Sequence, residues 1–220
     1  MSEAVKEDRL RITEIFYSLQ GETTFMGLPT AFVRLTGCPL RCQYCDTSYA
    51  FSGGEWVSHQ SILDRIEAMG ARYVTVTGGE PLAQKGTPKL IQALLDKGHS
   101  VSLETSGALD ISQVDPRCFV ILDLKTPDSK ESHRNLWENI PHLKKQDEVK
   151  FVICSRTDFD WAKAMVVEHD LSSKVNTILF SPSYADLAPA VLAEWILEDK
   201  LQVRFQIQLH KVLWNDAKGK

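Results

Sequence analysis

Three cysteines lie within eight residues of one another, in a segment at positions 37–47 that reads Gly-Cys-Pro-Leu-Arg-Cys-Gln-Tyr-Cys-Asp-Thr. Thiolates spaced as Cys-x3-Cys-x2-Cys bind a soft metal ion or an iron–sulfur cluster. A structural zinc site is closed by four protein ligands, usually in two pairs. The sequence offers no second pair, because Cys118 and Cys154 each stand alone in an apolar segment. Three cysteines instead fit a [4Fe–4S] cluster with one iron open to another molecule.

Cysteines also serve as redox pairs and as core residues, and neither role fits this segment well. A Cys-x-x-Cys pair is typical of thioredoxin-like redox sites, but that motif opens a helix and has no third cysteine. Unreactive cysteines pack like small hydrophobic residues. Buried core residues, however, do not cluster in a loop with glycine, proline, arginine and aspartate. The pattern therefore favours an iron–sulfur cluster.

The cysteine spacing, with the aromatic Tyr44 before the last cysteine, is similar to the signature of the radical S-adenosylmethionine (SAM) enzymes. Flanking motifs narrow the resemblance, and they are Ser18-Leu19-Gln20-Gly21-Glu22, Arg34-Leu35-Thr36-Gly37-Cys38, Cys45-Asp46-Thr47 and Thr77-Gly78-Gly79-Glu80-Pro81. Together they resemble the 7-carboxy-7-deazaguanine synthase family over essentially the whole chain. The resemblance implies a carbon–nitrogen lyase that converts 6-carboxy-5,6,7,8-tetrahydropterin to 7-carboxy-7-deazaguanine with loss of ammonia. Its product would feed deazapurine biosynthesis, including that of the tRNA base queuosine.

The resemblance also implies a route. In such enzymes the open iron binds the amino and carboxylate groups of SAM, and an electron from the reduced cluster cleaves the sulfonium. The resulting 5′-deoxyadenosyl radical would abstract hydrogen from substrate C6 and regain it by the end of the cycle, which regenerates SAM. No catalytic side chain beyond the cluster and SAM is implied.

The residues of the site are assigned by the same resemblance. Those expected to hold the cluster are Cys38, Cys42 and Cys45. Those expected to contact SAM are Tyr44, Cys45, Asp46, Gly79, Glu80, Asp123, Leu124, Lys125, Ser181, Pro182, Ser183 and Tyr184. Those expected to bind substrate are Leu19, Gln20, Gly21, Glu22, Arg34, Thr77 and His210. Thr47 is expected to offer its hydroxyl oxygen to a Mg²⁺, a hard cation that needs few protein ligands.

Several of these residues, taken alone, fit a purely structural role. Arg34, inside an apolar strand, needs an anionic partner, which an internal Asp or Glu would satisfy as well as a substrate carboxylate. Gly-Gly-Glu-Pro and Asp46-Thr47 would pass for tight turns, and Glu22 would simply stabilise its loop. Many relatives have Ser-Pro-Lys where this chain has Asp123-Leu124-Lys125, so Asp123 has a structural alternative. A histidine such as His210 lies more often in a core or on a surface than in an active site.

The elements that must position these residues alternate between strands and helices. Strands joined by helical crossovers predict a parallel sheet. A complete eight-fold barrel needs about 250 residues, so six or seven strands in 220 residues predict an incomplete TIM-like α/β barrel. Polar turns directly follow five strands, at Gly37-Cys38, Thr77 to Glu80, Glu104 to Gly107, Asp123 to Lys125 and Ser181 to Ser183. Such strand ends share one face, where ligands bind.

Local patterns predict further elements. Ser58 is expected to cap a helix that Gly70 ends. A helix is expected at Glu131 to Ile140, and a final strand at Val203 to Leu209 that carries His210 at its end. Beyond it, Val212, Leu213 and Trp214 are expected to pack down, and Asn215 to Lys220 to fray.

Composition, charge and hydropathy exclude several classes of function. Residues 1–220 are expected to form one radical SAM domain, with 43% apolar and 25% charged residues. A net charge of −4 and a pI near 5.9 argue against nucleic-acid binding. No run approaches the roughly 18 apolar residues of a membrane span. The polar start of the chain lacks the pattern of a signal peptide, and three ligand thiols suit a reducing cytoplasm.

The resemblance implies partners as well: a one-electron donor of the flavodoxin or ferredoxin type, and a second copy of the chain in a homodimer. Two further classes of function share part of the pattern. A glycyl-radical activating enzyme has the same cysteine spacing but acts on a partner protein, and it has no need of Gln20, Arg34 or Thr47. A structural or redox metal module needs neither Gly-Gly-Glu-Pro nor an open iron.

Substitution of the cysteines tests the assignment of the cluster ligands. Replacing Cys38, Cys42 or Cys45 by Ala should abolish the [4Fe–4S] absorption of the anaerobically reconstituted protein, because no spare thiol lies nearby. Cys118→Ala and Cys154→Ala are the matched controls and should keep it. Iron content that is insensitive to Cys42→Ala would show that the ligands are assigned wrongly.

Overall fold

The structure is a computed structural model, and it describes residues 8–215, 217 and 219. The strands are β1 (Arg9–Leu19), β2 (Pro29–Leu35), β3 (Glu55–Ser58), β4 (Tyr73–Gly78), β5 (Ser100–Thr105), β6 (Phe119–Asp123), β7 (Glu148–Ile153), β8 (Thr177–Pro182) and β9 (Arg204–Phe205). The helices are α1 (His59–Met69), α2 (Thr87–Asp96), α3 (Arg156–Glu168), α4 (Leu171–Lys174), α5 (Pro189–Glu198) and α6 (Leu209–Trp214). The remaining regular segments are short 3-10 turns.

One sheet contains all nine strands of the described residues, in the order β3-β1-β2-β4-β5-β6-β7-β8-β9. Strand β1 pairs antiparallel with β2 and β3, and every other pairing is parallel. The sheet does not close, since β3 and β9 are its two ends. The predicted fold, a mostly parallel and incomplete barrel, is confirmed. The strand count of six or seven was too low, partly because β3 is short and buries only Val57.

Helices cover the sheet because their apolar faces need burial. Helix α1 starts where the Ser58 hydroxyl accepts from Ser61 N (3.2 Å) and ends at Gly70, whose φ of 63° suits glycine. Two hydrophobic clusters result, one around β1, β2, β4 and β5 with α1 and α2, the other around β6, β7 and β8 with α3 and α5. In the described part of the chain no helix has both the length and the apolar character to cross a membrane.

The helix expected at Glu131 to Ile140 is wrong. Two 3-10 turns, Ser132–Arg134 and Trp137–His142, occupy this region instead. The side chain of Asn135 bonds both backbone groups of Lys125, and that of Asn139 bonds three backbone groups between positions 107 and 111. Asparagine side chains that bind the backbone of other loops compete with helix formation. This segment therefore holds the loops after β5 and β6 in place and does not form a helix.

The last strand is also shorter than expected. It covers only Arg204–Phe205, because the side chain of Gln206 bonds Thr23 N (2.8 Å) and Thr23 O (2.9 Å) and turns the chain towards the loop after β1. Leu209 N then donates to Gly21 O (2.9 Å), and α6 begins. His210 therefore lies on a helix and not at a strand end. Val212 and Leu213 are exposed at 64% and 48%, so the expectation that they pack down is wrong.

Candidate active site

A cavity of about 1110 Å³ opens at the carboxyl ends of the parallel strands. All five polar turns that follow strands contribute residues to its lining, as the sequence predicted. The cysteine loop closes one side, and the segment around α6 closes another. From the tail, Asn215, Ala217 and Gly219 line the cavity, whereas the expected fraying at positions 216, 218 and 220 lies outside the described residues.

Most of the residues singled out in the sequence meet in this cavity. From the substrate set these are Leu19, Gln20, Gly21, Glu22, Arg34, Thr77 and His210. From the SAM and metal sets they are Cys38, Cys42, Tyr44, Cys45, Asp46, Thr47, Gly79, Asp123, Lys125, Ser183 and Tyr184. Four members of the SAM set do not line it: Glu80, Leu124, Ser181 and Pro182. The geometry thus separates residues that face a ligand-sized space from residues that stand behind it.

The cysteine loop is held from outside by two backbone contacts. Arg41 N donates to Glu131 Oε1 (2.6 Å), and Gln43 N donates to Ser129 O (3.1 Å). The Arg41 side chain then folds back, and its Nη1 donates to Cys38 O at 2.8 Å. The loop therefore keeps its shape through backbone hydrogen bonds that leave the three thiols unused.

The thiols suit a cluster in burial and spacing. All five cysteines are free, and Cys38, Cys42 and Cys45 are partly buried. Burial raises the pKa of all three thiols, that of Cys42 to about 11. A metal centre deprotonates the thiols that coordinate it. Among the described residues no three His, Cys, Asp or Glu side chains converge on a single ion. A cluster needs no such convergence, because each thiolate binds a different iron.

Gly79 brings the loop after β4 against the cysteine loop. A Cβ at this position would overlap Gly37 O and would come within 2.8 Å of Cys38 Cβ. The next residue bonds the same carbonyl, since Glu80 N donates to Gly37 O at 2.8 Å. Only glycine permits this approach, which seals the floor beneath the cysteines.

Glu80, which is expected to contact SAM, has several protein partners. Its side chain is fully buried, and its carboxylate accepts hydrogen bonds from Thr105 Oγ1, Ser106 N, Ser106 Oγ and Leu82 N at 2.5–3.0 Å. These bonds join the loop after β4 to the turn after β5. The structure gives the Glu80 carboxylate this joining role, and its contact with SAM stays a prediction.

Two residues that are expected to bind substrate converge on the carboxylate of Glu104, a residue of the polar turn after β5 that was given no ligand. Gln20 Nε2 and Thr77 Oγ1 donate to the two oxygens of Glu104, at 3.2 and 3.0 Å. Burial, followed by the nearby charge of Glu22, raises the pKa of Glu104. The available signal was its place in the polar segment Glu104 to Gly107 at the end of β5.

Arg34 is paired with an internal carboxylate, one of the two kinds of partner that the sequence allowed. Its Nε donates to Glu14 Oε1 at 2.7 Å, and Tyr49 donates to the same oxygen at 2.8 Å. Among residues 8–215 its two terminal nitrogens donate to no protein acceptor, and the residue lines the cavity beside Phe16. The salt bridge therefore orients the guanidinium while its outer edge remains available to an anion.

Segment α6 connects the substrate side to the cysteine loop. His210 packs so closely on Gly21 that a Cβ there would overlap His210 Nδ1, and burial lowers the pKa of His210. Lys211 Nζ lies 3.4 Å from Asp46 Oδ2, and Thr47 Oγ1 donates to Asp46 Oδ1 at 2.7 Å. Burial disfavours the charged form of Asp46, but Thr47 and Lys211 outweigh it and lower the pKa of Asp46 to about 2. Asp46 therefore remains anionic.

Three comparisons with known proteins agree with this geometry. Residues 32–146 match the Radical SAM superfamily. The chain is 46% identical over 217 residues to 7-carboxy-7-deazaguanine synthase of Chlorobaculum tepidum, covering 97% of this chain and 98% of that one. It is 38% identical over 225 residues to the enzyme of the same name from Koribacter versatilis, covering 96% and 100%. Among solved structures it superimposes on QueE from Escherichia coli with a TM-score of 0.78 and 26% identity, covering 95% and 99%.

Substitution of Glu80 distinguishes its joining role from ligand binding. Glu80→Ala leaves several buried donors without an acceptor, so the free energy of unfolding should fall by at least about 3 kcal/mol. Urea unfolding of the anaerobic protein measures this. Glu168→Ala, on the outer end of α3, is the control and should change it little. An equally stable Glu80→Ala protein that no longer binds SAM would show that the carboxylate is a ligand after all.

Proposed function

We infer that this chain, which belongs to the 7-carboxy-7-deazaguanine synthase family of the radical SAM superfamily, converts 6-carboxy-5,6,7,8-tetrahydropterin to 7-carboxy-7-deazaguanine with loss of ammonia. It is a radical SAM lyase of deazapurine biosynthesis. The observation that supports the specific reaction is that one cavity is lined both by the three cysteines and by Arg34, Gln20 and Glu104.

Membership of the superfamily implies a [4Fe–4S] cluster and SAM. When bound, they supply the electron transfer and the hydrogen-abstracting radical that start the reaction. We propose that Cys38, Cys42 and Cys45 hold the cluster. The residues proposed for SAM are those of the expected set that line the cavity: Tyr44, Cys45, Asp46, Gly79, Asp123, Lys125, Ser183 and Tyr184. The other members of the expected set, Glu80, Leu124, Ser181 and Pro182, belong to the same loops and complete the proposed SAM site.

The pterin fits the polar groups of the other side. Its aminopyrimidinone edge carries N–H donors and a carbonyl acceptor, which Glu104 and the Gln20 amide complement. Its carboxylate suits the outer edge of Arg34, since a planar guanidinium binds carboxylates through two parallel hydrogen bonds. Phe16 and Phe32 stack at 4.9 Å beside Arg34 and give this side an apolar wall. Leu19, Gly21, Glu22, Thr77 and His210 complete the proposed substrate site.

A glycyl-radical activating enzyme is not favoured, because relatives that match nearly the full chain bear the name of the deazaguanine synthase.

The remaining proposals concern the metal ion, the partners and the location of the protein. Thr47 binds a Mg²⁺ that also holds substrate oxygens, and a one-electron donor of the flavodoxin or ferredoxin type reduces the cluster. The chain forms one domain and a homodimer, for which the exposed Trp56 on edge strand β3 offers a contact. Five free thiols suit the cytoplasm.

The proposed reaction is tested by its product. The anaerobically reconstituted protein is reduced with dithionite and incubated with SAM, Mg²⁺ and the carboxytetrahydropterin. Mass spectrometry should then detect 7-carboxy-7-deazaguanine and ammonia, and both should be absent from the Cys42→Ala protein. Cleavage of SAM without conversion of the pterin would retain the superfamily chemistry and refute the proposed substrate.

Arg34→Ala separates substrate binding from radical generation. Loss of a charge-assisted contact should lower kcat/KM for the pterin by about 10- to 150-fold, or about 1.5–3 kcal/mol. Reductive cleavage of SAM without substrate should persist. Arg65→Ala removes a comparable but exposed ion pair with Glu55 and serves as the control. Loss of SAM binding with normal pterin affinity would reverse the role of Arg34.

Thr47→Ala tests the metal proposal. The Mg²⁺ concentration that gives half-maximal turnover should rise at least about tenfold, as for other lost metal contacts. The absorption of the cluster should not change, and Thr47→Ser, which keeps the hydroxyl, should behave like the original protein. Full activity in a chelator that spares the cluster would remove Mg²⁺ from the mechanism.

A further inference from the structure

Lys150 is a buried cation at the centre of the cavity floor. It lies within β7, and its neighbours Val149 and Phe151 are fully buried. Its Nζ is 2.6 Å from Glu22 Oε2 and 3.2 Å from Asp123 Oδ2. A buried ammonium costs several kcal/mol unless it is paired. A lysine at such a position therefore needs both carboxylates, and it lines the cavity rather than the hydrophobic core.

The charges around Lys150 explain why it stays protonated. Burial alone would lower its pKa, but Glu22, Asp123 and Glu104 raise it well above the usual value. Conversely, burial would raise the pKa of Glu22, and the charge and hydrogen bond of Lys150 are the main reasons that it is lowered instead. Without Lys150, Glu22 and Glu104 would be two buried like charges in one cavity.

The two carboxylates that pair with Lys150 belong to the two different sets of residues proposed above. Glu22 is a member of the proposed substrate site, and its second oxygen accepts from Gln208 Nε2 at 2.8 Å. Asp123 ends β6, and its second oxygen pairs with Lys125 Nζ at 3.1 Å. Lys150 is therefore the ion that joins the substrate side to the SAM side.

We propose that Lys150 is a positioning residue that holds the Glu22 carboxylate in place for the pterin and fixes its distance from Asp123 on the SAM side. This inference rests on the proposed function. In this role Lys150 does not contact the reacting atoms. Its ammonium group holds the two carboxylates that line the cavity at a fixed distance from each other.

Loss of Lys150 should weaken pterin binding more than SAM binding. Asp123 keeps a lysine partner in Lys125, so its charge remains paired. Among the described residues, Glu22 has no ion pair with any other lysine or arginine; its remaining bond is to the neutral amide of Gln208. A residue that merely stabilised the fold would weaken both ligands together. A positioning residue of this kind should weaken pterin binding and spare SAM.

Calorimetric titration and turnover of the anaerobically reconstituted holoenzyme test this asymmetry. Lys150→Met, which keeps the side-chain length without the charge, should raise the Kd of the pterin at least about 30-fold, since loss of one partner of a buried charge pair is costly. The Kd of SAM should change less than about threefold, because its side keeps Lys125. With dithionite as reductant, 5′-deoxyadenosine released per product formed should increase.

Two further variants keep the test independent of folding. Lys150→Arg retains the charge and should recover most of the pterin affinity. Lys150→Met combined with Glu22→Gln removes both charges, and its pterin affinity should be no weaker than that of the worse single variant, because the partners are coupled. Lys163→Met is the matched control, since it breaks the ion pair between α3 and Asp199, away from the cavity. It should bind both ligands normally.

Equal weakening of SAM and pterin by Lys150→Met, additive losses in the double variant, or no recovery with Lys150→Arg would each overturn the proposal. The same assays on the protein without substitutions distinguish failure of this proposal from failure of the proposed function. If that protein binds SAM and does not bind or convert the pterin, the substrate assignment has failed. If it converts the pterin while the variants lack the asymmetry, only the role of Lys150 has failed.

Discussion

Two lysines and three carboxylates share the floor of the cavity, and each depends on its neighbours for its charge. Lys150 pairs with Glu22 and Asp123, Lys125 pairs with Asp123, and Glu104 lies close enough for its pKa to depend on the others. Burial of these groups would be costly if any were alone. Three consecutive parallel strands, β5, β6 and β7, carry Glu104, Asp123 and Lys150, and the loop after β1 brings Glu22 to them. The floor is thus an ionic network in which the sheet fixes the spacing.

The cysteine loop rests on a second support, made of short hydrogen bonds rather than ion pairs. Gly79 and the Glu80 amide lie against Gly37, and the Glu80 carboxylate ties the same loop to Thr105 and Ser106. Few rotatable bonds therefore separate the thiols from the sheet. Such a support holds a site in one geometry before any ligand arrives.

The fold and the location of the site were predictable because they depend on local spacing. Strand and helix alternation and the polar turns after strands are visible in the sequence, and they predicted the partial barrel and the edge of the sheet where the cavity lies, whereas the individual site residues came from the resemblance to a known family. The direction of a side chain is not visible, so the hydrogen bonds that join the Glu80 carboxylate to Thr105 and Ser106 could not be predicted. Glu104 was visible only as part of a polar turn with no role of its own, and Lys150 was a charged residue within a strand to which no motif drew attention. Tertiary hydrogen bonds of Asn139 replaced an expected helix.

If one cavity holds SAM and the pterin in contact, hydrogen passes directly between them. Transfer of deuterium from substrate labelled at C6 tests this most directly, with SAM and 5′-deoxyadenosine analysed by mass spectrometry after turnover in ordinary water. Direct transfer predicts deuterium in the 5′ position of recovered SAM or 5′-deoxyadenosine. Formation of the deazaguanine with no deuterium in either molecule would contradict it.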